Sequence, residues 1–245
     1  MSTYVYGDSR ARHLKEHIPM AVSKLFPGKT IGQITDLASQ QLPKSGKKLL
    51  YVVGGICNLT TKLNSDASST YEEVVYQASP SVLFDYHFQM QSGKDLLAHK
   101  DCVPIYCTVP TMSLQSWNEI RLNQRKTSYL QFENNYPQMQ EELNNTINLV
   151  NQKIVQFNNH NGYLTPNIHQ CINKCKRGKY WYYYNRFVDG VHPEDSVVDI
   201  WAHQINSAII ENHKRLIRCE NARHRYRQIF TNADNMNLKV RVSRR

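Results

Sequence analysis

The segment Lys48-Leu-Leu-Tyr-Val-Val53 is apolar throughout after its first residue, and turn residues bound it, Pro43-Lys-Ser-Gly46 before and Gly54-Gly55 after. A strand with one face in water alternates polar and apolar side chains. One that does not alternate is buried on both faces, as a parallel strand is when helices cover its sheet. Thr3–Tyr6 and Val22–Phe26 are further short β-rich runs, and Cys102–Val109 is a strand closed by Pro110. Ile31, Ile34, Leu37, Ala38 and Leu42 recur at helical spacing. Leu143, Ile147, Val150, Ile154 and Phe157 mark an amphipathic helix of about four turns. Further helices are predicted over Arg10–Ile18, Tyr71–Gln77 and Ser196–Leu216, while Lys179–Tyr184 reads either as a last strand or as a surface stack of tyrosines. Strands alternating with helices define an α/β chain whose parallel sheet is covered on both faces.

In such sheets, sites form in the loops beyond the carboxyl ends of the strands. Three segments stand there: Tyr6-Gly7-Asp8-Ser9-Arg10, Val53-Gly54-Gly55-Ile56-Cys57-Asn58-Leu59 and Phe187-Val188-Asp189-Gly190-Val191-His192-Pro193. Each is weak alone, since Gly-Asp-Ser is a common turn and His-Pro a common helix lead-in. Together they supply a serine on a strand-to-helix turn, a small-residue loop, and an Asp and His three residues apart. A serine hydroxyl becomes a competent nucleophile only when a base takes its proton, and that base needs a fixed tautomer.

YGDSRARHL at 6–14 and DGVHP at 189–193 carry a resemblance to the SGNH/GDSL hydrolases over approximately residues 3–210. The wording around these blocks also resembles esterase-like domains encoded by some non-long-terminal-repeat retrotransposons. The resemblance implies a three-layer, flavodoxin-like, doubly wound parallel sheet. It implies Ser9 as nucleophile, His192 as general base and Asp189 as the group that orients the imidazole. The reaction implied is acyl transfer to serine and hydrolysis of the acyl-enzyme, on a small ester and with no cofactor or metal. The family's oxyanion hole takes the serine N–H, a glycine N–H and an asparagine amide. Ser9 and Gly28 fit the first two, with Gly32 the alternative to Gly28. Setting Gly55-Ile-Cys-Asn58 against the family's G-x-N-D loop puts Cys57 where the asparagine belongs, so Asn58 serves only if the loop is shifted. Two readings follow: an esterase removing a small acyl group, or a degenerate scaffold that binds nucleic acid or a protein partner.

The net charge is +10, and residues 212–245 account for +8 of it, with ten Lys and Arg against Glu220 and Asp234. We therefore divide the chain into a nearly neutral main domain, 1–211, and a basic extension, 212–245. Lys214, Arg215, Arg218, Arg223, Arg225 and Arg227, interleaved with His213, His224 and Tyr226, suit phosphate backbones. They equally suit a solvated helix or a localisation signal. The six cysteines make no disulfide framework and are expected to be free in a reducing compartment. Cys171 and Cys175 near His169 lack a second pair at zinc-ligand spacing and read as ordinary thiols. No apolar run approaches the roughly 20 residues that span a bilayer. Met1–Tyr6 has no signal-like core, so a cytoplasmic or nuclear protein is expected. Trp117 and Trp201 read as core residues, the tyrosines of 180–184 as strand packing or the wall of an acyl or sugar pocket, and the asparagines of 144–161 as a polar helix face.

Overall fold

The computed structural model describes residues 1–64, 72–76, 79, 81–124, 136–176 and 179–242. In chain order its elements are β1 (Ser2–Gly7), α1 (Leu14–His17), β2 (Val22–Leu25), α2 (Ile31–Gln41), β3 (Lys48–Val53), β4 (Thr60–Asn64), β5 (Glu72–Tyr76), α3 (Val82–Ala98), β6 (Cys102–Tyr106), α4 (Leu114–Gln124), α5 (Tyr136–His160), β7 (Asn173–Lys176), β8 (Lys179–Tyr182) and α6 (Asp195–Val242). The main sheet has the order β2-β1-β3-β6 and every pairing in it is parallel. Successive side chains of each strand point to opposite faces, which makes two cores. Tyr4, Tyr6, Leu50, Val52 and Tyr106 pack under α2, α3 and α5, while Val5, Leu49, Tyr51, Val53 and Ile105 pack under α1 and α6. This is the predicted three-layer α/β arrangement. The apolar run of β3 fills both cores at once, and all six of its residues are buried.

Three predicted elements differ. The Arg10–Ile18 helix is a 3-10 turn at Ser9–Ala11 followed by the single turn of α1. The segment predicted as a helix near Tyr71–Gln77 is strand β5, antiparallel to β4. Its Val-Val-Tyr suits a strand, and Asn118 of α4 holds it by accepting from Val74 N–H (3.0 Å) and donating to Val74 C=O (2.8 Å). The Lys179–Tyr184 strand does not join the main sheet, because β8 pairs with β7 in a separate hairpin. There Tyr182 and Tyr184 accept from Asn148 and Asn144 of α5, at 3.0 and 2.7 Å, so these two tyrosines pack the hairpin on that helix.

The asparagines of α5 divide, with Asn145 and Asn159 exposed and three others turned inward. Asn144, Asn151 and Asn158 are buried at steps of seven on one side of the helix. No strand pairs beyond β6 among the described residues, and these side chains serve that edge instead. Asn158 accepts from Tyr106 N–H (3.2 Å) and donates to Tyr106 C=O (2.8 Å), and Asn151 does the same for Val109 (2.6 and 3.0 Å). A carboxamide carries a donor and an acceptor side by side, as a peptide unit does, so it satisfies both groups of one residue. Asn212 repeats the pattern on Leu164 N–H and C=O, and also donates to the Tyr51 hydroxyl.

Helix α6 passes position 212 without a break. Asn212 is fully buried, His213 Nε2 lies 3.0 Å from Thr3 Oγ1, and Glu220 pairs with Lys47. No helix of the described residues is long and apolar enough to cross a membrane.

Candidate active site

The chain leaves β1 toward β2 on one side and returns to β3 on the other, so the strand order reverses between β1 and β3. A crevice opens at such a switch point, at the carboxyl ends of the strands. Gly7 closes β1 there. A Cβ on Gly7 would lie 2.6 Å from Ala11 Cβ and 2.7 Å from Val53 O, so no larger residue permits the turn to fold back on the sheet. Asp8 N–H continues the pairing to Val53 O (3.0 Å), and Asp8 Oδ1 caps the following turn through Arg10 N–H (3.0 Å). Asp8 and Arg10 form an ion pair at 3.0 Å with each side chain about 2% exposed or less. Arg10 also donates to Pro110 C=O (3.0 Å), tying the serine turn to the segment beyond β6. Ser9 thus sits on a turn fixed from both sides.

The second half of the site is a closed loop before α6. Phe187 bridges to Pro193, and Val188 N–H donates to His192 C=O (2.9 Å). Gly190 stands at φ +83°, and its C=O accepts from Ser113 N–H (2.7 Å). A Cβ there would lie 2.8 Å from Ser113 O and 2.9 Å from Trp117 N, so both conformation and space require glycine. Within the loop, Asp189 Oδ2 lies 2.6 Å from His192 Nδ1, and Oδ1 accepts from the N–H groups of His192 (2.8 Å) and Val191 (3.1 Å). Burial pushes the Asp189 carboxyl up, but these hydrogen bonds outweigh it and hold the group below its ordinary value. An ionised Asp189 on Nδ1 fixes the tautomer and leaves Nε2 as the acceptor. His192 Nε2 is buried and has no hydrogen-bond partner among the described residues. The ring packs against Trp117 of α4, with centroids 5.7 Å apart.

Ser9, Gly28 and His192 line one cleft of about 710 Å³. Ser9 and His192 make no direct hydrogen bond across it among the described residues, and Asp189 stands behind the histidine. The N–H groups of Ser9 and Gly28 have no acceptor among the described residues, whereas the Gly32 N–H already donates to Gln89 Oε1 (3.1 Å). Gly28 lines the cleft, and Gly32 is not among its lining residues.

Asn58 is the departure from expectation. Its Oδ1 accepts from Ile31 N–H (3.0 Å) at the start of α2, and its Nδ2 donates to Gln89 Oε1 (2.8 Å). The amide is engaged outside the cleft, so Asn58 is no oxyanion donor in this arrangement. Cys57 lines the cleft in its place. Burial, with Asp8 second, pushes the Cys57 thiol up, so it remains a neutral S–H and a weak donor. Arg12, Met112 and Trp117 also line the cleft. Arg12 stands within the YGDSRARHL block without a role assigned to it there, while Met112 and Trp117 belong to no motif and come from a loop and a helix that only the tertiary fold brings to the site.

Elsewhere, Lys214 and Arg215 lie 3.9 and 4.0 Å from Glu211, while Arg218, Arg223, Arg225 and Arg227 are exposed along α6. Cys171 accepts from Trp201 Nε1 (2.9 Å) in the core under α6. The side chain of Cys175 lies outside the described residues, and among those described no cluster of three metal-ligating side chains occurs.

No protein-family model matches the chain, and no curated protein matches it. Solved structures do. A GDSL-like lipase from Bacteroides thetaiotaomicron is similar with a TM-score of 0.54 at 16% identity, over 86% of this chain and 88% of that one. A member of the lipolytic protein G-D-S-L family from Veillonella parvula is similar with a TM-score of 0.51 at 9% identity, over 84% of this chain and 97% of that one. At these identities the likeness is one of fold, and the chain has the SGNH/GDSL hydrolase fold.

Proposed function

We propose that the protein is a serine hydrolase that removes a small acyl group from an ester through Ser9, His192 and Asp189. The main support is the orphaned His192 Nε2, held by Asp189 in the accepting tautomer on the same cleft as Ser9. In the reaction, Ser9 Oγ attacks the ester carbonyl while its proton passes to His192 Nε2. The imidazolium faces Asp189, and the tetrahedral oxyanion is met by the Ser9 and Gly28 N–H groups. His192 returns the proton to the departing alcohol. A water, deprotonated in turn by His192, then hydrolyses the acyl-enzyme. With Cys57 where an amide donor would stand, turnover is expected to fall below a three-donor site by about 10²–10³. Turnover of p-nitrophenyl acetate by the full chain, compared with Ser9→Ala, tests the assignment. Loss of turnover in the variant supports it, and equal rates in the two reject it. Cys57, Cys102, Cys107, Cys171 and Cys219 are free thiols, which fits a cytoplasmic or nuclear site.

A second activity is favoured by the exposed Arg218, Arg223, Arg225 and Arg227 on one continuous helix. We infer that this extension binds phosphate backbones without sequence preference, by counterion release. Fluorescence anisotropy with a single-stranded oligonucleotide tests it. Binding that weakens with salt and is lost on truncation after Glu220 supports the inference. No binding at low salt rejects it.

A further inference from the structure

Among the described residues that line the cleft, Asp8 is the one carboxylate, and Arg10 engages it in a buried pair. Arg12 lines the same cleft with an exposed side chain that forms no ion pair among the described residues. Its backbone N–H donates to Ser9 C=O (3.3 Å), so the base of this side chain is fixed to the nucleophile's own turn. Ile56, Met112 and Trp117 supply apolar wall. A cleft built this way offers an acyl chain somewhere to pack and offers a nearby anion a guanidinium.

We propose that the cleft selects esters bearing a negative charge a few atoms from the scissile carbonyl, with Arg12 as the specificity-determining residue. This deepens the hydrolase reading and rests on it for the reaction. The guanidinium presents a planar fork of donors that matches a carboxylate or a phosphate. Low-dielectric walls on a concave site leave its field less screened than on an open surface. The charge can reside on the acyl group or on the alcohol, and the recognition chemistry is the same for both.

The test is calorimetric binding to Ser9→Ala of amide analogues that are not cleaved. Glutaric mono-(4-nitroanilide) against pentanoic 4-nitroanilide places the charge on the acyl side. 4-Acetamidobenzoate against acetanilide places it on the leaving-group side. In at least one pair the anion is expected to bind about tenfold tighter, the scale of one partly screened ion pair. That ratio is expected to fall toward one when Arg12→Gln is added, and to recover in part with Arg12→Lys. A preference in neither pair, or one indifferent to Arg12→Gln, overturns the proposal. Because the analogues are not turned over, the charge preference is measurable even in a protein inactive on every ester. A protein that hydrolyses charged and neutral esters alike overturns this proposal and leaves the hydrolase reading standing.

Discussion

The Asp189 carboxylate makes three contacts within its own loop, two to backbone N–H groups and one to the His192 ring. Asp189→Asn keeps the shape but can present its amide N–H to Nδ1 and so favour the wrong tautomer. We expect kcat to fall by about 10³–10⁴ with little change in thermal midpoint, read from ester kinetics beside calorimetry. His169 makes a different prediction. It is 6% exposed, and burial pushes its ring down to about 4. The unfolded ring takes a proton near pH 6.5 and the folded one only near its lowered value, so stability is lost as pH falls through that window. The loss is on the order of 3 kcal/mol. Urea midpoints at about pH 7 and about pH 4.5 should therefore differ more in the wild type than in His169→Gln. Ser9, Asp189 and His192 could be singled out from the sequence because each stands in a short local segment, and the fold sets Ser9 and His192 on one cleft. The role of Asn58 could not be read there, since it is fixed by Ile31 and Gln89, which lie 27 and 31 positions away.

The inner strands of the main sheet were legible because burial on both faces removes polar alternation, and β3 is the clearest case, whereas the edge strand β2 has no buried residue. Segment 72–76 was not legible, because a five-residue run takes its conformation from its partner β4 and from the clamp of Asn118. Asn151 and Asn158 of α5 were illegible for a physical reason: a polar side chain on an amphipathic helix normally faces water, and these two face the backbone of β6 and its extension. Asn158→Leu leaves the Tyr106 N–H and C=O without their partner in a dry environment. We expect a loss of about 2–4 kcal/mol in unfolding free energy, measured by chemical denaturation. A solvated asparagine at this position would change stability by a few tenths of a kcal/mol.

For the molecule as a whole, the basic extension and the domain share one helix, and composition alone divides them at 212. The fold's own contacts run further, through the buried Asn212, His213 on Thr3 and Glu220 on Lys47. Ending the chain after Ile210 should lower the thermal midpoint by several degrees, since Leu164 and Tyr51 lose their partner. Ending it after Glu220 should leave the midpoint nearly unchanged, and differential scanning calorimetry separates the two. At the switch point of the sheet, Ser9, Gly28 and an oriented His192 line one cleft, and the proposed chemistry depends on their acting together. Labelling of the full chain with a fluorophosphonate, with the modified peptide mapped by mass spectrometry, reads that cooperation at the nucleophile itself. We expect a single adduct on Ser9, absent from Ser9→Ala and from His192→Ala. A folded wild-type protein that takes no label, or takes it equally in Ser9→Ala, would rule out Ser9 as an activated nucleophile.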